Sequence, residues 1–354
     1  MTSWDETGFR ERLQKTLDDF LDEMAERLRP LGPDATLLLD EARRSVSGGK
    51  RFRAAFCYWG HRAVHPSPDD EEALIRACAA LELLHASALV HDDLMDASDT
   101  RRGRPATHRQ FEGEHRDAGW RGDPEQYGAA AAILLGDLLL SWADELLRRC
   151  GLPIVQVAPA LEVFDRCRSE VIAGQFLDVS VQARGRADVD AAMTVLRYKS
   201  AKYSIERPLH IGAALAGAPA ATMAELSGFG LPLGEAFQLR DDLLGVFGDP
   251  ATTGKPAGDD LIEGKRTVLV ALALDAAAPA DAARLDAALG TPLSPAQVQD
   301  LRAIIDASGA HAQVEAVIDE LATHAVAALD EADVDDRARG VLRALASSAT
   351  QRVV

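Results

Sequence analysis

The sequence predicts an all-α protein. Three observations carry that expectation. Apolar residues recur at spacings of three and four along most of the chain, alanine is abundant while aromatics make up only 5%, and no alternating strand pattern of useful length is present. At 354 residues and 47% hydrophobic content the chain can bury a substantial core, which argues against disorder over most of its length.

The elements follow in order. Phe9, Leu13, Leu17, Phe20, Met24 and Leu28 mark an amphipathic helix over 8–29 that "RPLGP" ends. A second helix precedes "SGGKRFR", and an apolar segment covers 54–64. "HPSPDDEE" reads as a loop delivering an acidic first turn to a long helix from about 70 to 97. Residues 112–127 are polar and glycine-bearing and predict a loop. Helical runs resume over 128–149, 154–182, 190–218 and 223–247. "GDPATTGKPAGDDLIEGKRT" reads as a charged, glycine-rich loop. Ser294 then sits as N-cap, with Pro295 at the first helical position and Gln297 placed for a capping box. The alanine-rich stretch 271–289 keeps a leucine spacing that fits packed helices, and 346–354 is expected to fray. The whole, 1–354, reads as a single all-helical domain.

Charge excludes several functions. With 38 basic and 56 acidic residues the net charge is −18, wrong for coating nucleic acid or an anionic membrane. No run is expected to cross a membrane, and the N-terminus lacks an apolar signal core, so a cytoplasmic protein is expected. Cys57, Cys78, Cys150 and Cys167 show no metal-type pairing and read as buried thiols of a reducing compartment.

Two aspartate clusters close apolar helices. In "LVHDDLMDASDTRRG", Asp92 and Asp96 lie about 40° apart around a helix, and His85, seven residues upstream of Asp92, falls within roughly 20° of the same face. Asp93 stands beside them. Downstream, "FQLRDDLLGVFGD" supplies Asp241, Asp242 and Asp249. Carboxylates gathered at a partly buried place need a proton or a cation to relieve their repulsion. Hard oxygen donors on rigid helices suit Mg²⁺, which binds one or two carboxylates together with phosphate oxygens and water. The basic residues agree. Six lysines stand against 32 arginines; Lys50, Lys255 and Lys265 fall in glycine-bearing segments where backbone and ammonium can approach a phosphate. Arg101 and Arg102 follow the first cluster directly.

The ordered segments "GGKRFR", "LLHASALVHDDLMDASDTRRGRPATH", "GDLLL", "GQFLD", "KSAKYS", "FQLRDDLLGVFGD" and "GKPAGDDLIEGKRT" resemble the trans-isoprenyl diphosphate synthases, the polyprenyl synthetase family, over roughly residues 35–275. The resemblance implies a single large helical bundle around a central cavity, the isoprenoid synthase-like fold. It also implies head-to-tail condensation of isopentenyl diphosphate with a dimethylallyl, geranyl or farnesyl diphosphate. Lys50, Arg53, His85 and Arg102 are then expected to hold isopentenyl diphosphate without metal. Asp92, Asp96 and Asp241 are expected to hold the allylic diphosphate through Mg²⁺, about three ions in all, each completed by phosphate oxygens and water. Asp93 and Asp242 complete the two catalytic clusters. Arg101, Lys199, Lys255 and Lys265 are expected as direct diphosphate partners, with Ser200 and Gln238 near the allylic carbon. A homodimer is the expected assembly. The chain departs from the family pattern at Gly245, where a third aspartate is common, at Ala54, where proline is common, and at Ser200, where threonine is common. Weaker metal affinity is the expected consequence of Gly245, with Asp242 or Asp249 left to serve.

Chain length should depend on what closes the pocket one or two turns before the first cluster, each turn rising about 5.4 Å. Ser87 and Ala88 are small, with Leu84 below them, and Ile133 and Leu134 are the expected floor. Small residues here point to a geranylgeranyl diphosphate synthase, with farnesyl or longer-chain synthases as alternatives. A class I terpene cyclase needs no second diphosphate site and leaves the "GGKRFR", His85 and Arg102 set unexplained. A non-catalytic synthase subunit fits poorly with two intact aspartate clusters.

Overall fold

The computed structural model describes residues 4–185, 188–248 and 258–350. Helix makes up 81% of it. The helices are α1 (Glu6–Leu28), α2 (Pro33–Ser45), α3 (Phe52–Val64) and α4 (Glu71–Met95), with one 3-10 turn at Arg29–Leu31. A two-residue hairpin, β1 (Thr100–Arg101) and β2 (Arg104–Pro105), precedes α5 (Thr107–Asp117), α6 (Pro124–Arg148) and α7 (Ile154–Arg184). Then come α8 (Val189–Val195), a π-helix (Leu196–Glu206), α9 (Arg207–Leu215) and α10 (Ala220–Phe247). The chain closes with α11 (Asp259–Glu263), α12 (Val268–Ala276), α13 (Pro279–Ala288), α14 (Pro295–Ala307), α15 (Ala310–Glu331) and α16 (Asp336–Thr350).

Contacts divide the chain into two compact units, Met1–Tyr58 with Ser67–Leu161, and Trp59–Pro66 with Glu162–Val354. In the first, α4 packs along α6, α6 also receives α5, and α1 lies on α4. The α1 stripe is buried as its spacing predicts, at Phe9, Leu13, Leu17, Phe20 and Met24. α4 is apolar all round and is buried from Ala73 to Leu84 with one interruption at Arg76. It corrects the expectation that no segment is span-like: among the described residues it is long and apolar enough to cross a membrane, with a mean hydropathy of 1.6. That window is 78% buried inside the protein, which is what a central core helix requires. In the second unit, α10 packs against α15 and the π-helix. Leu239, Leu243 and Val246 of α10 share a core with Leu269, Ile305, Val314 and Ile318.

Two further expectations change. The 112–127 segment is not one loop: α5 runs to Asp117 and α6 begins at Pro124. Glu112 is 4% exposed and takes ion pairs from Arg109 and Arg116, while Trp120 meets His115 and Tyr127 edge to face around the short connection. A polar composition hid a helix whose polar groups pair with one another. The stretch 346–350 is not frayed either, because Ala346, Ala349 and Thr350 are buried on α16; 351–354 lies outside the described residues. The capping box of Ser294 and Gln297 is present as read. Cys57, Cys78, Cys150 and Cys167 are buried free thiols.

Candidate active site

In the first unit, the site residues hang on α4 and on two turns beside it. Asp92 and Asp93 occupy the last turn of α4, and Asp96 is its C-cap, with its N–H donated to the Asp92 carbonyl. Three carboxylates thus sit at the negative end of a 25-residue helix that has no basic residue in its last turn. Such a helix end calls for cations from elsewhere.

One cation comes from the hairpin. Arg102 and Gly103, at φ 53 and 74, are its two central residues, both left-handed as a two-residue type I′ turn requires. The tight turn sends the two arginines in different directions. Arg101 forks onto Asp93, with Nε donating to Oδ1 at 2.9 Å and Oδ2 at 3.1 Å, and its Nη2 lies 3.9 Å from Asp92 Oδ2. Arg102 Nη1 donates to the Ser47 carbonyl at 2.8 Å. Asp93, only 3% exposed, therefore orients Arg101.

His85 lies half-buried on α4. Burial first, then the positive charges of Arg53, Arg102, Arg101 and Arg51, hold its imidazole well below its usual range. That favours the neutral form of the ring, which keeps a hydrogen-bonding nitrogen without adding charge. Lys50 is exposed and Arg53 half-buried on the α2–α3 loop and the start of α3. Leu84 and Ser87 are buried and Ala88 half-buried. Ile133 and Leu134 are 48% and 61% exposed, which corrects their assignment as a floor. The buried stripe of α6 runs through Ala132, Leu135, Gly136 and Leu139, and at about 100° per residue Ile133 and Leu134 turn away from it.

In the second unit, Lys199 and Ser200 lie in the π-helix, whose wider turn is a frequent companion of functional sites. Lys199 Nζ donates to Asp178 Oδ2 at 2.5 Å. Asp241 is half-buried and Asp242 buried on α10. Burial first, then the charge of Asp260, pushes the Asp242 carboxyl well above the usual range, and Gln238 Nε2 donates to its Oδ1 at 2.8 Å. Gln238 is thus engaged with a carboxylate of its own helix. Lys265 Nζ pairs with Glu263 Oε2 at 2.6 Å and Asp260 Oδ1 at 3.4 Å. Lys255 and Asp249 lie outside the described residues.

The departure at Gly245 has a structural counterpart. A Cβ built there would lie 1.9 Å from Asp260 Oδ2, so the Asp260 carboxylate fills the space a side chain at 245 would take. Asp260 and Asp178 were missed as candidates by sequence reasoning. The signal was weak: each carboxylate closes a short motif, "AGDD" and "GQFLD", and Asp178 has no second acid three or four residues away.

Among the described residues, no group of three or more His, Cys, Asp or Glu side chains is gathered as a ready-made metal cage. Mg²⁺ takes one or two protein carboxylates and completes its shell with phosphate oxygens and water. Asp92, Asp96 and Asp241 have the right chemistry for such partial ligation.

Comparison with known proteins agrees with this architecture. The polyprenyl synthetase family model matches residues 36–307. A geranylgeranyl pyrophosphate synthase from Corynebacterium glutamicum, solved with isoprenyl diphosphate and magnesium, superposes with a TM-score of 0.96 at 41% identity, covering 99% of this chain and 100% of that one. A geranylgeranyl diphosphate synthase of Mycobacterium tuberculosis H37Rv is 34% identical over 295 residues, 83% of this chain and 78% of its own. A (2E,6E)-farnesyl diphosphate synthase of the same organism is also 34% identical, over 262 residues, 73% of this chain and 67% of its own. The chain belongs to the polyprenyl synthetase family of trans-prenyltransferases.

Proposed function

We propose that the protein condenses isopentenyl diphosphate with an allylic diphosphate and releases geranylgeranyl diphosphate. The observation that carries the reading is the segregation of charge along α4. Carboxylates crowd its C-terminal end, and the positive charges of Arg53, Arg102, Arg101 and Arg51 act on the neutral His85 two turns earlier. One helix thus serves a metal-bound diphosphate at its end and a metal-free diphosphate along its side.

Bound Mg²⁺ would supply positive charge to the departing diphosphate. The chain does the rest with its own side chains. Asp92, Asp96 and Asp241 are the proposed Mg²⁺ donors. Arg101 is held by Asp93, and Lys199 by Asp178, as donors to diphosphate oxygens. Lys255 and Lys265 are proposed to join them. The allylic C–O bond breaks with its electron pair leaving on the diphosphate, and the alkene of isopentenyl diphosphate forms the new C–C bond. A proton then passes to the released diphosphate, so no side-chain nucleophile is needed. Neutral His85 can donate to a substrate oxygen without adding a charge. Apolar helix faces keep water from the cation.

Product length is the finer claim. Identity does not decide it, because geranylgeranyl and farnesyl synthases of one organism match this chain equally well. Small Ser87 and Ala88 support the longer product, as does the 41% identity to the Corynebacterium enzyme. Incubating the purified protein with farnesyl and isopentenyl diphosphates tests the reading. Geranylgeranyl diphosphate is the expected product; farnesyl diphosphate left unextended would overturn it.

A further inference from the structure

The loop between α2 and α3 carries Lys50, and its backbone is costly. Gly48 and Gly49 take φ 67 and 92, and Arg51, with a full side chain, takes φ 56. A left-handed arginine persists only where its surroundings over-determine it. Here they do. Arg51 Nη1 donates to Glu82 Oε2 at 2.8 Å, and Nη2 donates to the Val46 carbonyl at 2.5 Å and to Gln14 Oε1 at 2.6 Å. Both side chains of the ion pair are 5% exposed. The other Glu82 oxygen accepts the Ala54 N–H of α3 at 3.4 Å. The same carboxylate therefore ties down the residue after Lys50, whose guanidinium holds the Val46 carbonyl, and the helix turn that carries Arg53.

We propose that the Arg51–Glu82 pair is the positioning device of the isopentenyl diphosphate site, an inference that rests on the prenyltransferase reading. Arg51 turns inward while its neighbour Lys50 stays exposed. Glu82 stands three residues before His85 on α4, so the two share a face. Anchoring the loop on Glu82 sets Lys50 and Arg53 at the height of His85. Arg102 secures the loop's other side through the Ser47 carbonyl. Stability alone gives a weak reason for such a pair, since buried ion pairs can be replaced by apolar residues of similar volume with little loss. The aspartates of α4 lie more than two turns further on, and no contact of Arg51 or Glu82 named above reaches them. The pair is therefore expected to act on one substrate and not the other.

The test compares the wild-type protein with Glu82→Gln and with Arg51→Met/Glu82→Met. Calorimetry measures binding of isopentenyl diphosphate without metal and, separately, of geranyl S-thiolodiphosphate, a slowly ionising allylic analogue, with Mg²⁺. Steady-state kinetics and thermal melts accompany both. The expected result is a Kd and KM for isopentenyl diphosphate raised tenfold or more in both variants. Affinity for the analogue and kcat should stay within twofold. If the double variant fails to fold, Glu82→Gln, which keeps the shape and loses the charge, decides alone. A folded variant that binds isopentenyl diphosphate as the wild type does overturns the inference, as does equal weakening of both ligands. Wild-type protein that does not bind isopentenyl diphosphate overturns the prenyltransferase reading and this inference with it.

Discussion

At the scale of single residues, charge decides what each group can do. Asp92 shares the negative end of α4 with Asp93 and Asp96. Asp92→Ala is expected to cut kcat at least a hundredfold, in the range seen when a transition-state electrostatic group is removed. Its melting temperature should hold or rise, because one of three repelling carboxylates is gone. Steady-state rates and a thermal melt check both halves. His85 makes the opposite case. Its folded-state pKa is depressed below the usual value of about 6.5, so the stability it contributes is present above that value and lost as pH falls through the folded pKa. His85→Gln is therefore expected to melt less pH-dependently than the wild type below about pH 6.5, and melts from pH 7.5 to 5 read that directly. Asp92 and Asp96 were legible in the sequence because a helix period puts them on one face. The fate of Asp93 was not, since its partner Arg101 arrives through a hairpin of two-residue strands that no periodicity announces.

At the scale of elements, glycine contacts set where Lys199 sits. A Cβ at Gly174 of α7 would lie 2.4 Å from the Lys199 nitrogen, and one at Gly234 of α10 would lie 2.5 Å from the Ala201 carbonyl oxygen. Both helices press their bare backbone against the π-helix. Gly174→Ala and Gly234→Ala are each expected to destabilise the fold by about 1–3 kcal/mol, the usual cost of overpacking, and to lower kcat by displacing Lys199. Gly228→Ala on the same α10 is the control, since its nearest neighbour would be the Ala328 Cβ at 3.6 Å. It should leave activity intact and melt at or above the wild-type temperature. Helix periodicity placed the 190–218 run correctly as helical, yet it could not show the π-helix over 196–206. The backbones of Gly174 and Gly234 approach that wider turn at Lys199 and Ala201, contacts that no local spacing announces.

At the scale of the whole molecule, α7 leaves an apolar row in solvent. Ile172, Phe176 and Val179 are 58%, 71% and 39% exposed and fall at spacings of four and three along one face. Such a row on a surface helix fits the homodimer that the family resemblance implies. Phe176→Asp is expected to convert a dimer into a monomer, read by light scattering on a sizing column; a wild type already monomeric would overturn that expectation. The same logic re-reads Ile133 and Leu134 on α6, whose exposure suits an interface better than a pocket floor.

The sequence by itself determined the helical class, most helix boundaries, the family and the two aspartate clusters, because each depends on local period or on an ordered set of motifs. Tertiary structure alone decided which side chains those motifs commit to one another. It gave Asp93 to Arg101, Gln238 to Asp242 and Lys199 to Asp178. It also filled the space beside Gly245 with Asp260 and buried Arg51 against Glu82. The reason is physical: a buried charge takes its partner from whatever the packed helices bring within hydrogen-bond reach, and that distance is set by the fold and not by spacing along the chain.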